Sequence, residues 1–148
     1  MSEMREFFRA LVLDDVEAAE RHQAEIDRKA QENPEELSDR LVAAAFFILT
    51  SRRFKGSSLR EIVDWVAETR SALNEDADEI DPKAAEGLIR SVVRREIELV
   101  EQLEPSVRSQ LQMMLTYRML KQENLSEPAL DGFLDEAEKL AAKWESQG

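Results

Sequence analysis

The sequence has no cysteine, and its 148 residues include only four glycines, four prolines and one histidine. Without cysteine there can be no disulfide bond and no thiolate chemistry, and this absence fits a cytoplasmic protein. Apolar and polar residues nowhere alternate with the period of two that is typical of strands. Together these absences predict an all-α fold, and the length predicts one domain over residues 1–148.

Long hydrophobic runs are also absent, and the longest is the nine-residue stretch Leu41–Leu49. A helix needs about 20 apolar residues to cross a bilayer, so we expect no membrane segment. Three consecutive alanines at 43–45 favour helix over strand here. Pro34 suits a first helical position, which predicts a helix over 34–54. Because this helix is apolar on every side, Ala44 and Phe47 included, we expect the other helices to surround it.

The four prolines mark where helices begin. Each follows an Asn, Asp or Glu and precedes apolar residues at helical spacing, and proline is favoured at a first helical position because its missing N–H would have no partner there. With the amphipathic stretches between them, these sites predict about six helices in a bundle or compact array around 34–54. The first helix is expected to run from about residue 2 to Gln31, although a capping box at 14–17 would split it. The others begin near residues 34, 57, 82, 105 and 128, and the fourth is expected to reach Leu103.

The formal net charge is −12, which disfavours nucleic acids and anionic membranes as partners. Only residues 37–73 are net positive, with six bases and four acids. Four of these bases, Arg52, Arg53, Lys55 and Arg60, surround the predicted turn between the second and third helices. They either contact a nucleic acid, another anion or a partner, or they complement the negative end of a helix dipole.

The segment 53–62, RFKGSSLREI, resembles the start of the DNA-binding region of TetR-type regulators. In that family a Gly-Phe-x-x-Thr-Ser-type stretch leads into a helix that begins Leu-Arg-Glu-Ile. The resemblance covers ten residues and implies a helix-turn-helix that contacts DNA. The family then has a glycine turn and a recognition helix after the Val-Ala pair found here at 66–67. In this sequence residues 68–70 are expected to continue the same helix instead.

No pattern for catalysis or metal binding is complete. The acidic stretch 74–79 begins like an EF-hand calcium loop, but Glu79 stands where the loop needs glycine and Ala85 where it needs glutamate. The Glu-x-x-His motifs of di-iron bundles are absent, because His22 has no glutamate three residues before it. We therefore expect no enzyme activity, no metal and no cofactor.

Three apolar residues lie at the margins of predicted helical stripes. Trp65 flanks the apolar stripe of the third helix, and Met113 and Met119 widen the apolar face of the fifth. Methionine-rich and aromatic faces of this kind can form adaptable partner surfaces. These three residues are therefore candidates for an apolar contact with another protein or with a second copy of this chain.

The sequence predicts a non-enzymatic protein–protein interaction or regulatory module, of the kind found among adaptors and antitoxin-like or immunity-like proteins. Its acidic surface suits a basic partner. One alternative is a helical regulator that touches nucleic acid through the basic turn at 52–60. A second alternative is a bundle that binds a small apolar ligand in an enclosed cavity of roughly 300 Å³ or more, lined by Phe and Met.

Overall fold

The computed structural model describes residues 3–32, 40–73 and 80–147. Over these ranges the protein is all-α, with eight helices and no strand. The helices are α1 Glu3–Val12, α2 Val16–Glu32, α3 Arg40–Phe54, α4 Leu59–Leu73, α5 Pro82–Val93, α6 Glu98–Glu101, α7 Pro105–Glu123 and α8 Glu127–Gln147. The predicted helix start at Asn33–Pro34 lies outside the described residues.

Local hydrogen bonds explain where several helices begin. Ser58 and Glu61 form a reciprocal capping box at the start of α4: the Ser58 backbone N–H donates to Glu61 Oε1 at 3.2 Å, and the Glu61 N–H donates to Ser58 Oγ at 3.2 Å. Asp81 caps α5 by accepting the Lys83 N–H at 3.0 Å, directly before Pro82 at the first helical position. The helix starts predicted at 57–58, 82 and 105 are confirmed, and the last helix begins one residue before Pro128.

The first predicted helix is wrong as a single element, because the chain divides into α1 and α2 at residues 13–15. Asp14 has a φ of 60°, a left-handed conformation that interrupts a helix and that Asp tolerates better than most residues. Asp15 then caps α2, with its Oδ1 accepting the Ala18 N–H at 3.2 Å. The split that the capping-box alternative at 14–17 predicted is confirmed, although the cap itself is Asp15 with Ala18 rather than a reciprocal box over 14–17.

The fourth predicted helix is also too long, since α5 ends at Val93 and a separate short helix, α6, follows. Arg95 has a φ of 57°, which turns the chain out of the helix. Leu99 of α6 packs against the backbone of Gly87 in α5, so closely that a Cβ at Gly87 would lie 2.9 Å from the Leu99 Cβ. A glycine inside a helix lowers its stability, and here it makes room for the returning chain.

Helix α3 contains the apolar run and contacts several other helices. Residues 41–49 are buried apart from Ala43, which is half-buried, and Phe47, which is 42% exposed. The prediction that Phe47 is core is wrong. The exposed or half-buried positions 40, 43, 47 and 51 recur at helical spacing, so α3 has a solvent-facing stripe that its apolar sequence hides.

The described chain divides into two compact units. Unit 1 comprises residues 1–45 and 119–148, and unit 2 comprises residues 46–118. The organisation of residues 1–148 as one domain stays a prediction. The core of unit 1 contains Phe7, Phe8, Leu41, Val42, Ala44, Met119, Leu120, Leu130, Phe133 and Leu134. The core of unit 2 contains Phe46, Leu49, Phe54, Ile62, Trp65, Val66, Leu88, Ile89, Leu111 and Leu115.

Ion pairs join α1 to α8 within unit 1. The Arg5 guanidinium is buried, with Nη1 2.6 Å from Asp135 Oδ1 and 3.2 Å from Glu138 Oε2. One turn later, Arg9 Nε lies 2.9 Å from Asp131 Oδ1. Burial alone would lower the pKa of Arg5, but the Asp135 hydrogen bond and the nearby carboxylate charges outweigh it and raise that pKa. Arg5 therefore stays charged, and its partners fix α1 on α8.

Candidate functional site

The four basic residues predicted as a contact site lie around the turn between α3 and α4, in unit 2. Arg52, Arg53, Lys55 and Arg60 are all exposed. Gly56 adopts a φ of 78° after the end of α3, which permits the tight turn. The Arg53 guanidinium carbon lies 5.9 Å from the Phe54 ring centroid and 6.0 Å from that of Trp65. These are distances at which a cation interacts favourably with an aromatic ring.

The groove beside this turn is more acidic than basic. We define the α3–α4 groove as the open hollow of about 340 Å³ that is lined by Arg53, Phe54, Ser57, Glu61, Asp64, Trp65 and Glu68. Three carboxylates and one guanidinium line it. Arg60 is also near a carboxylate, with its Nε 3.9 Å from Asp64 Oδ2. A phosphate backbone would meet these acids as well as the bases, so the groove itself offers nucleic acid no basic surface.

The helix that follows the basic turn runs without interruption. Helix α4 extends from Leu59 to Leu73, through the region where TetR-type regulators have a glycine turn and a recognition helix. The continuation predicted for residues 68–70 is confirmed. Residues 59–73 therefore do not form the two helices of a helix-turn-helix, and the short sequence resemblance ends with the first of them.

The apolar partner surface predicted at Trp65, Met113 and Met119 does not form as expected. Trp65 is buried against Phe54, with ring centroids 5.3 Å apart in an edge-to-face arrangement. Met119 is buried as well, and Met113 is half-buried. For Trp65 and Met119 the prediction of an exposed contact is wrong, because both side chains are part of the core.

A second groove lies between α1 and α2 in unit 1, and sequence reasoning missed it. We define the α1–α2 groove as the open hollow of about 420 Å³ that is lined by Phe7, Leu11, Val16, Ala19, Glu20, Gln23, Ala24 and Asp27. Its floor is apolar. Val16, at its end, is 65% exposed, which is more than any other large apolar side chain among the described residues. The residues from α2 recur at spacings of three and four, so they occupy one face of that helix.

Helix α2 is covered on only a small part of its surface. Of its side chains that the structure describes, Ala19 alone is buried. His22 connects α2 to α1 through its Nδ1, which lies 2.6 Å from Glu3 Oε2. An amphipathic helix is normally stabilised by burial of its apolar face. The α1–α2 pair therefore has apolar surface available for a further helix.

The charges at the α1–α2 groove are negative. Glu20 and Asp27 are its charged lining residues, and neither makes an ion pair with any residue that the structure describes. Asp27 Oδ1 accepts a hydrogen bond from Gln23 Nε2 at 2.9 Å, which leaves its charge uncompensated. The nearby cation Arg28 pairs with Glu25 and Glu32 instead, and its hydrogen bond holds the pKa of Glu25 below the ordinary value. A cation brought by a partner would therefore find two carboxylates without ion-pair partners.

The described residues do not form the other kinds of site considered from the sequence. They contain no cluster of three His, Cys, Asp or Glu side chains that could hold a metal ion. The acidic stretch 74–79, which begins like an EF-hand loop, lies outside the described residues. No helix in the described ranges is long and apolar enough to cross a membrane. Neither of the two grooves is an enclosed, methionine-lined cavity of the kind expected for a bound apolar ligand.

Comparison with known proteins adds no further assignment. No protein-family model matches this sequence, and neither a curated protein nor a solved structure is detectably similar to it.

Proposed function

We propose that this protein is a non-enzymatic interaction module and that the α1–α2 groove is its docking surface. The observation that carries the proposal is the apolar lining of that groove, in which Val16 and Ala24 are exposed and Leu11 is half-buried. Apolar surface that is rimmed by polar residues is a feature of partner-binding and ligand-binding grooves. A volume of about 420 Å³ is within the range of sites that bind ligands or protein side chains.

The shape of the groove favours a helical partner segment. Two helices, α1 and α2, form its walls, and Ala19 and Ala24 leave room for close approach of another backbone. An amphipathic helix that lies in such a groove inserts apolar residues at spacings of three and four. This binding mode suits the regulatory, adaptor, antitoxin-like or immunity-like roles that the acidic composition also favours.

Site-specific photo-crosslinking in cells of the source organism tests this function. A photoreactive phenylalanine derivative at Gln23, in the groove, should capture a discrete protein partner or a second copy of this chain. The same group at Lys139, an exposed residue of α8, is the matched control. The capture at Gln23 should disappear when Val16→Asp is introduced. Equal capture from both positions, or capture that survives Val16→Asp, would contradict the proposal.

The nucleic-acid alternative has a separate test. DNA binding at low salt that weakens steeply with salt and with Arg53→Glu would favour a role for the basic turn. Absence of binding at low salt would remove that alternative, and it would leave the α1–α2 groove as the candidate.

A further inference from the structure

We infer that the occupant of the α1–α2 groove is a basic amphipathic helix of about three turns, contributed by a different protein. This inference rests on the proposed function, because it names the chemistry of the partner that the same groove would take. It follows from three features of the groove: its length, its apolar floor and the sign and spacing of its charges.

The length of the groove sets the length of the occupant. The α2 residues that line it run from Val16 to Asp27, which at 1.5 Å per residue is about 16 Å of helix. A helix lying alongside would make about three turns over that distance. Its apolar residues would recur at i, i+3 or i+4, and i+7, and would contact the accessible apolar residues of the groove, Leu11 from α1 and Val16 and Ala24 from α2.

The negative charges of Glu20 and Asp27 at the rim of the groove determine the sign of the charge on the occupant. Glu20 and Asp27 are seven residues apart, which places them two turns apart along the same face of α2. No lysine or arginine lines the groove to neutralise them. Lysines or arginines two turns apart on the incoming helix would lie opposite these carboxylates. Opposite charges across an interface fix its register and exclude partners of the wrong sign.

The same charges argue against a second copy of this chain as the occupant. In a two-fold symmetric dimer each groove faces its own equivalent, so Glu20 and Asp27 would approach the same two carboxylates of the other copy. Like charges placed opposite one another at an interface are unfavourable. A head-to-tail contact would avoid this repulsion, but such contacts lead to rings or open filaments rather than to a closed dimer.

Synthetic peptides test the inference directly on the full chain. One labelled 14-residue peptide carries leucines at i, i+3, i+7 and i+10 with flanking lysines, a second has glutamates in place of the lysines, and a third is a scrambled form of the first. Affinities are measured by fluorescence anisotropy. Because two exposed ion pairs and the removal of like-charge repulsion are involved, the lysine peptide should bind about tenfold more tightly than the glutamate peptide. The scrambled peptide should bind much more weakly, which separates docking from general attraction to an acidic protein.

Variants of the protein locate the binding. Glu20→Lys with Asp27→Lys should reverse the preference, so that the glutamate peptide binds more tightly. The matched control makes the same charge change at two exposed acids of α6 that do not line the groove, Glu98→Lys with Glu101→Lys. It should alter affinity by less than about threefold, because it changes only the overall charge of the protein, which salt screens. Val16→Asp should abolish binding of the lysine peptide. Val16 is exposed at the first turn of α2, where an acid is tolerated, and a circular dichroism spectrum checks that this variant folds.

The outcomes separate the inference from the proposed function. If both charged peptides bind equally and Val16→Asp blocks both, the groove is a docking site but the basic partner is refuted. If the lysine peptide binds and neither Val16→Asp nor the rim reversal changes its affinity, binding occurs elsewhere and the inference is overturned. If no peptide binds, the inference is again overturned, while the crosslinking at Gln23 decides the proposed function on its own.

Discussion

Gly87 in α5 and Gly132 in α8 allow the described packing to be tested by one substitution at two places. Both glycines lie inside helices. A Cβ at Gly87 would lie 2.9 Å from the Leu99 Cβ and 3.1 Å from the Leu99 Cδ1, whereas a Cβ at Gly132 would meet nothing within 4 Å. The two sites therefore differ in the space around them rather than in helix propensity.

The magnitudes follow from that difference. Glycine costs a helix interior about 0.5–1 kcal/mol relative to alanine, so Gly132→Ala should stabilise the protein by about that amount. At Gly87 the same gain is opposed by overpacking, which typically costs about 1–3 kcal/mol. The Leu99 Cβ is attached directly to the backbone, so the chain of α6 must move to relieve the contact. We expect Gly87→Ala to lose about 1 kcal/mol relative to the unsubstituted protein, which is the difference between these two effects.

Urea unfolding followed by helical circular dichroism measures both variants. A double-mutant cycle that combines Gly87→Ala with Leu99→Gly supplies the control, because Leu99→Gly removes the opposing Cβ. In that background Gly87→Ala should become stabilising, as Gly132→Ala is expected to be. If Gly87→Ala stabilises the otherwise unchanged protein as much as Gly132→Ala does, α6 does not pack on α5 in this way.

Two further predictions concern burial and charge in unit 1 and in α3. Ala44→Asp should unfold the protein or lower its free energy of unfolding by several kcal/mol, because it buries an unpaired carboxylate. Phe47→Asp, on the exposed stripe of α3, should be tolerated. Thermal unfolding compares the two variants, and equal effects would contradict the burial pattern of α3. Arg5→Ala should lower the free energy of unfolding by about 1–3 kcal/mol, because the charge-assisted hydrogen bonds of Arg5 are buried on one side. Arg9→Ala should lower it by less than about 1 kcal/mol, because the Arg9 side chain is 34% exposed. Urea unfolding measures both variants, and similar losses would show that burial of Arg5 adds nothing to the free energy of unfolding.

Helix boundaries set by side-chain chemistry could be predicted from the sequence, and those set by backbone conformation could not. Pro82 and Pro105 begin helices as expected, because proline and a preceding cap act over a few neighbouring residues. The break after α5 depends on a left-handed Arg95, which no proline or glycine marks. Gly87, eight residues earlier, makes room for the returning chain, but this role is visible only once Leu99 is known to pack there.

The candidate site was missed for a related reason. A groove between α1 and α2 exists only because the chain turns at Asp14, and a single long helix from residue 2 to 31 has no such groove. The capping pattern at 14–17 is present in the sequence, but the apolar stripe along residues 2–31 favours an unbroken helix. Trp65 was misplaced because a residue beside an apolar stripe can be buried by a neighbouring element, here Phe54 at the end of α3.

The pairing of α1 with α8 was equally invisible in the sequence taken segment by segment. Arg5 and Arg9 are one turn apart, and the acids that they contact lie at matching intervals on α8. Each set alone has the pattern of an ordinary solvated helix face. Long-range complementarity of this kind becomes informative only when the packing of the two helices is known.

Binding of a basic helix in the α1–α2 groove can be observed residue by residue. The most direct test is an NMR titration of the isotope-labelled full chain with the lysine-flanked peptide. We expect the backbone amide shifts to change chiefly in α1 and α2, around Leu11, Val16 and Gln23, and to saturate together. Changes centred on the α3–α4 groove around Arg53 and Glu61, or small changes spread over the whole chain, would contradict binding in the α1–α2 groove.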